Sequence, residues 1–356
     1  MRILLSNPRG FCAGVHMAID VVDQVLDLYP GRPIYVYHEI VHNKHVVNRF
    51  RERGVKFVEE IDEVPEGSII VFSAHGISPA VKAEAKVRGL TMVDATCPLV
   101  TKVHNEAIRY ARQGYDILLV GHADHQEVIG TRGEAPESIQ VVECPEDIPS
   151  LRIRDDSKIA YLTQTTLSTD DAAVIIDALK QAFPKIKDPP SSDICYATTN
   201  RQQAVRQIAP ECDLVLVVGS KNSSNSVRLT EIARNVGIPA YLLDDVGELR
   251  DEWFAGLDTP THELTVLVTA GASAPEDLVA GLCRTLISRY GLNGKGTIEQ
   301  RDIFREDEEF GLPATLKRLM REEGIDPETR KIKVGSYDIT EETYGAVPLT
   351  IGGKAV

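Results

Sequence analysis

Ile3-Leu4-Leu5-Ser6-Asn7-Pro8-Arg9-Gly10-Phe11-Cys12 is the stretch that decides the fold. Its three leading apolar residues read as a strand, and Asn-Pro-Arg-Gly as a break. Cys12 stands at the break, just ahead of a helical pattern over 15–28. The same junction returns at Met92-Val93-Asp94-Ala95-Thr96-Cys97, before a helical pattern over 100–113, and at Ile194-Cys195-Tyr196, before one over 201–208. Two further features recur in each unit. Apolar strands at 34–37, 117–120 and 214–218 run into polar loops at 38–43, 121–125 and 219–225. Apolar strands at 69–72, 159–162 and 265–268 run into Ser73-Ala74-His75-Gly76, Thr163-Gln164-Thr165-Thr166 and Thr269-Ala270-Gly271-Ala272-Ser273. Helix-start chemistry follows each time: Ser78 before Pro79, Ser168 or Thr169 before Asp170-Asp171, and Pro275-Glu276-Asp277 after Ser273.

Strands alternating with helices in this way predict an α/β fold with parallel sheets and helices on both faces. The threefold repetition predicts three αβα units over 13–97, 98–195 and 196–290. Residues 1–12 lead to the centre and 291–356 form a C-terminal segment. Units of about 90 residues are small for this architecture, so each is expected to lean on its neighbours in a pseudo-threefold trefoil. Ligands bind beyond the carboxyl ends of such strands, which would turn nine loops toward one central cavity. After about residue 300 the pattern weakens. Glu306-Asp307-Glu308-Glu309 is an acidic run, 312–323 suits one amphipathic helix, and the rest, through Gly352-Gly353-Lys354, reads as short strands or tail. A solvated extension is the expectation there.

Composition excludes several classes. With 43% hydrophobic and 26% charged residues the 356-residue chain has the mix of a soluble globular protein. A formal net charge of −14 argues against a general nucleic-acid binder, which needs cationic surface to displace counterions from phosphates. No apolar run is long enough to span a bilayer, and Asn7-Pro8-Arg9 interrupts the N-terminal apolar residues too early for a signal peptide. A reducing cytoplasm is therefore expected, with the six cysteines as thiols or metal ligands and not disulfides.

Cys12, Cys97 and Cys195 hold equivalent places in the repeats, so a trefoil would bring three thiolates together. Such a trio wants a soft partner, zinc or an iron–sulfur cluster. Without the repeat, each would read as an ordinary core cysteine, as Cys144, Cys212 and Cys283 do. On a four-iron cluster, three thiolates leave one iron without a protein ligand, the open position that makes a metal site catalytic. His42, His75, His122 and His125 lie on the strand-end loops, where the third unit offers Ser223, Ser224, Asn225 and Ser273. A lining rich in N–H and O–H donors and poor in carboxylates suits a phosphate or diphosphate beside helix N-termini. His16, His45, His104 and His262 read as structural, and His38 and His122 are evenly balanced. Glu127 follows His125 closely; a dehydrated carboxyl there is either a proton donor, with Thr165 and Thr166 as relays, or a helix-terminal acid in a favourable dipole contact.

The residues Asn7-Pro8-Arg9-Gly10-Phe11-Cys12-Ala13-Gly14-Val15, His38-Glu39-Ile40-Val41-His42-Asn43, Asp94-Ala95-Thr96-Cys97-Pro98 and Ile194-Cys195-Tyr196-Ala197-Thr198-Thr199-Asn200-Arg201 closely resemble the LytB family of 4-hydroxy-3-methylbut-2-enyl diphosphate reductases. So do Phe72-Ser73-Ala74-His75-Gly76, Thr163-Gln164-Thr165-Thr166, 218–226 and 269–275; the likeness covers roughly 1–300. The resemblance implies a trefoil around a central 4Fe–4S cluster held by Cys12, Cys97 and Cys195. It implies a diphosphate among His42, His75, His125, Ser223, Ser224, Asn225 and Ser273, with Glu127 as proton source and Thr165 touching the substrate hydroxyl. It also implies reductive dehydroxylation to isopentenyl and dimethylallyl diphosphate, fed by an external donor such as ferredoxin or flavodoxin. An iron–sulfur redox or oxygen sensor is the alternative from another class, and a zinc hydrolase a third reading. Where the family usually has Gly-His-Ala-Gly-His-Pro-Glu, this chain has Gly121-His122-Ala123-Asp124-His125-Gln126-Glu127, which implies altered tuning with the reaction retained.

Overall fold

The computed structural model describes residues 1–327, 349–351 and 354–355. The chain opens on β1 (Arg2–Asn7), and Cys12 then caps α1 (Ala13–Leu28). There follow β2 (Ile34–Tyr37), α2 (Lys44–Glu52), β3 (Lys56–Val58), β4 (Ile69–Phe72), α3 (Pro79–Val87) and β5 (Thr91–Asp94). The second stretch holds α4 (Pro98–Arg112), β6 (Asp116–Val120), α5 (Gln126–Glu134), β7 (Ile139–Val142), β8 (Ile159–Thr163) and α6 (Thr169–Ala182). The third holds α7 (Tyr196–Ile208), β9 (Leu214–Val218), α8 (Ser224–Asn235), β10 (Ala240–Leu243), α9 (Glu252–Ala255), β11 (Thr265–Ala270) and α10 (Glu276–Tyr290). It is followed by β12 (Thr297–Asp302), α11 (Ala314–Glu322), β13 (Leu349–Ile351) and β14 (Lys354–Ala355).

Three sheets result, in the orders β3-β2-β4-β5, β7-β6-β8 and β10-β9-β11-β1-β12-β13-β14. All pairs are parallel except β13 with β14. Helices cover both faces, so strand residues alternate between two cores. Leu214, Leu216 and Val218 of β9 enter one and Val215 and Val217 the other; Ile69 and Val71 of β4 part from Ile70 and Phe72 in the same way. Each such side chain, fully buried, contributes about 1.5–3 kcal/mol.

The chain ahead of each cysteine runs in parallel beside the last strand of its sheet's βαβ run, β4, β8 or β11. β5 lies beside β4 before Cys97, and Lys187 bridges in parallel to Ala160 of β8 before Cys195. The matching place beside β11 is taken by β1, so the N-terminal strand completes the third sheet, with Arg2 in register with Thr265 on one side and Thr297 on the other. The apolar Ile3, Leu4 and Leu5 are wholly buried there.

The C-terminal segment differs from the solvated extension that the sequence suggests. The expected amphipathic helix forms as α11, but Leu312, Leu316, Leu319 and Met320 are buried in the core of the first sheet, beside α1. Glu306 leaves the acidic run to pair with the buried Arg201, while Asp307, Glu308 and Glu309 stay exposed. Burying an apolar stripe and neutralising an inward cation outweigh solvation of one carboxylate. The part of the tail at 328–348, 352–353 and 356 lies outside the described residues.

Candidate active site at the junction of three sheets

Each candidate cysteine is held by the same local device. Its backbone N–H donates to the carbonyl two residues past the neighbouring strand, β4, β8 or β11: Cys97 to Ala74 (3.0 Å), Cys195 to Thr165 (3.0 Å) and Cys12 to Ala272 (3.2 Å). Each is also the N-cap of a long helix, α1, α4 or α7. Three helix N-termini therefore face the thiols, and their unpaired amides favour negative charge there. The Cys195 Sγ accepts from the Thr198 N–H (3.4 Å) and lies 3.2 Å from the Thr198 hydroxyl. Burial pushes the Cys195 thiol up to about 11, and the neighbouring Cys12 adds to this. The Cys97 thiol is driven up for the same two reasons, burial first and Cys12 second. Gly14 makes their approach possible: a Cβ there would stand 2.6 Å from the Cys97 Sγ and 4.0 Å from the Cys12 Sγ.

Among the described residues no three His, Cys, Asp or Glu side chains gather tightly enough to chelate one metal ion. Three soft donors around a shared cavity, with no fourth, fit a larger sulfide-bridged group better.

Facing them are three more helix starts. Asn43 caps α2, His125 caps α5 and Ser223 caps α8, each through its own side chain. His42 stacks on His75 with ring centroids 3.9 Å apart, and His125 meets both edge-on at 5.5 and 6.1 Å. Burial holds the His125 imidazole down at about 4 and His75 well below its ordinary value, so both are neutral at pH 7. The His125 Nδ1 accepts the Glu127 N–H (3.2 Å), which leaves its Nε2 as the N–H donor. The His42 Nε2 is buried with no protein partner. The Ser273 hydroxyl donates to the His42 carbonyl (2.9 Å), and the Asn225 Oδ1 accepts from the Ala272 N–H (2.9 Å). The Ser224 hydroxyl donates to the Thr166 carbonyl (3.0 Å). Neutral donors at helix N-termini make an anion site.

Glu127 joins the two halves. Its carboxylate accepts from the Thr165 N–H (2.6 Å) and hydroxyl (3.0 Å), and Thr165 in turn accepts from Cys195. At 2% exposure, burial lifts its pKa to about 7 against those two hydrogen bonds. It therefore exchanges a proton close to neutrality, well above the usual carboxylate range.

One cavity is lined by all twelve candidate residues, Cys12, His42, His75, Cys97, His125, Glu127, Thr165, Cys195, Ser223, Ser224, Asn225 and Ser273. His38 and His122 point elsewhere: His38 meets Glu59 (2.5 Å), and the His122 Nε2 accepts from Arg228 (2.7 Å). His104 pairs with Glu134 and His45 with Asp245, as structural histidines do. Thr198, Tyr196 and Phe310 also line the cavity and were not singled out from sequence. Thr198 had a signal, standing three residues after an N-cap; Phe310 had none.

The LytB protein family matches residues 3–287. The chain belongs to the LytB family. A 4-hydroxy-3-methylbut-2-enyl diphosphate reductase of Acidothermus cellulolyticus is 52% identical over 335 residues, 94% of this chain and 95% of that one. One from Actinobacillus succinogenes is 52% identical over 89% of this chain and 98% of its own. The solved E-1-hydroxy-2-methyl-but-2-enyl-4-diphosphate reductase of Plasmodium falciparum superposes with a TM-score of 0.84 at 39% identity, covering 91% of this chain and 99% of that one. Membership of the LytB family implies an iron–sulfur enzyme. The departures from its loop pattern are mild in this setting. Gln126 occupies the first position of α5, where proline is tolerated because no hydrogen bond is lost, so the helix starts equally well with either residue. Asp124 is exposed.

Proposed function

We propose that the protein is a 4-hydroxy-3-methylbut-2-enyl diphosphate reductase, replacing the allylic hydroxyl of its substrate by hydrogen and releasing isopentenyl or dimethylallyl diphosphate. The overall change consumes two electrons and two protons and releases water. The observation that carries this reading is a single cavity with three N-cap thiols at one end, His, Ser and Asn donors at the other, and the buried Glu127, hydrogen-bonded to Thr165, joining them. A 4Fe–4S cluster held by Cys12, Cys97 and Cys195 would supply single electrons and a Lewis-acidic iron that lacks a protein ligand.

The chain's own residues do the rest. His42, His75, His125, Ser223, Ser224, Asn225 and Ser273 bind the diphosphate, and the N-termini of α2, α5 and α8 add their dipoles. That anchorage orients the hydroxyl toward the thiol end and saves the entropy of alignment. Thr165 touches the hydroxyl and Glu127 delivers the proton that turns it into water. Burial keeps that proton on Glu127 until a stronger base appears. The electrons come from an external carrier, ferredoxin or flavodoxin. The six free thiols suit a reducing cytoplasm, and no helix among the described residues is long and apolar enough to cross a membrane.

Anaerobic turnover with a chemical reductant tests the proposal. Glu127→Gln keeps an acceptor for Thr165 but has no acidic proton, and is expected to lose roughly 100- to 10,000-fold in kcat. Full turnover by that variant, or the absence of turnover by native protein loaded with its cluster, defeats the reading.

A further inference from the structure

We propose that residues 303–313 form a strap over the thiol end of the cavity, pinned by the buried Arg201–Glu306 ion pair and sealed by Phe310. The inference rests on the reading of the three thiols as cluster ligands.

The strap begins where the Ile303 and Phe304 N–H groups donate to the Asn7 carbonyl at the end of β1 (2.9 and 3.4 Å). Glu306 then turns inward. Its two oxygens accept from the Arg201 Nη1 at 3.0 and 3.2 Å, and Asn200 Nδ2 adds a contact of 3.1 Å. Arg201 is fully buried. The same guanidinium donates to the Gly10 carbonyl through Nε (3.2 Å) and Nη2 (2.8 Å), and to the Ala197 carbonyl through Nη1 (2.9 Å). One planar fork thus ties together the loop before Cys12, the first turn of the helix that Cys195 caps, and the strap. Four residues beyond Glu306, Phe310 lines the cavity and packs with Phe11 and Val15 against the core of the first sheet. Leu312 and Leu316, both buried, fasten the far end.

The strap is therefore anchored on the third sheet, on α7 and on the first core, and crosses the site between these anchors. Asp307, Glu308 and Glu309 stay in solvent, so Phe310 is the apolar residue that the crossing delivers inward. Around a metal centre, an apolar shell governs entry of water and solutes. Arg201 needs its carboxylate partner, since a buried cation left alone is strongly unfavourable.

The test follows anaerobic loss of iron from the full-length, cluster-loaded protein to a soluble chelator, read by the fall in visible absorbance. Phe310→Ala is expected to release iron roughly tenfold faster than native protein, because a cheaper local opening is more populated. Glu306→Gln is expected to act in the same direction, and Phe310→Leu, which refills the seal, to restore the native rate. Phe310 is only partly buried, so its two variants decide the matter even where Glu306→Gln fails to fold. Equal rates in native and Phe310→Ala protein overturn the strap and leave the cluster reading standing. Native protein that takes up no cluster overturns both.

Discussion

Glu127 shows how a single side chain acquires chemistry from its surroundings. Two hydrogen bonds from Thr165 favour its charged form, yet burial prevails and raises its pKa to about 7. The catalytic rate is therefore expected to be full below pH 7 and to fall as pH rises through it; a rate flat from pH 6 to 9 contradicts a protonated Glu127. Stability carries the same sign. A carboxyl whose folded pKa lies above its unfolded value, near 4.5, stabilises the fold fully below that value, and the contribution is lost as pH rises to about 7. Glu127→Gln escapes this loss, so the difference in Tm between variant and native protein is expected to favour the variant more at pH 8 than at pH 5. Gly14 is the second decisive residue. Gly14→Ala puts a carbon 2.6 Å from the Cys97 sulfur, and is expected to yield folded protein with less iron per chain, measured after anaerobic reconstitution.

At the scale of elements, the helix starts do most of the positioning. Six helices begin at the cavity, three capped by cysteine and three by Asn43, His125 and Ser223. The repeats made the cysteine starts readable, as did Ser78 and Ser168, which cap α3 and α6 as their sequence contexts suggest. Asn43 was readable only as part of a loop. Its side chain accepts from the His45 and Val46 N–H groups at 3.0 and 3.1 Å and is wholly buried. Asn43→Ala is expected to cost about 1–2 kcal/mol by denaturant unfolding. Because His42 directly precedes that cap, the same variant is expected to weaken diphosphate binding by calorimetry; unchanged affinity counts against His42 as an anion ligand.

At the scale of the molecule, the chain's ends lock the first and third sheets together. β1 runs from the third sheet into α1 over the first, while α11 returns from β12 to pack on that same first core. Leu4 is wholly buried in the third sheet, in a core also formed by Val205, Val215 and Leu229. Leu4→Ala is expected to cost roughly 2–5 kcal/mol. The loss is expected to appear in the fluorescence transition of Trp253, the chain's one tryptophan, which packs against the other core of that sheet. A transition that stays in place would make residues 1–12 a mere leader.

By itself the sequence determined the alternation of strands and helices, the threefold repeat and the recurring cysteine junctions, because periodicity and capping act over a few neighbouring residues. It could not say that β1 joins a sheet whose other strands lie more than two hundred residues away, since an apolar strand carries no mark of which edge it will pair with. Nor could it stack His42 on His75, or turn Glu306 out of an acidic run toward Arg201. Those contacts belong to the tertiary structure, because burial is non-directional and selects partners only when whole sheets and helices have packed.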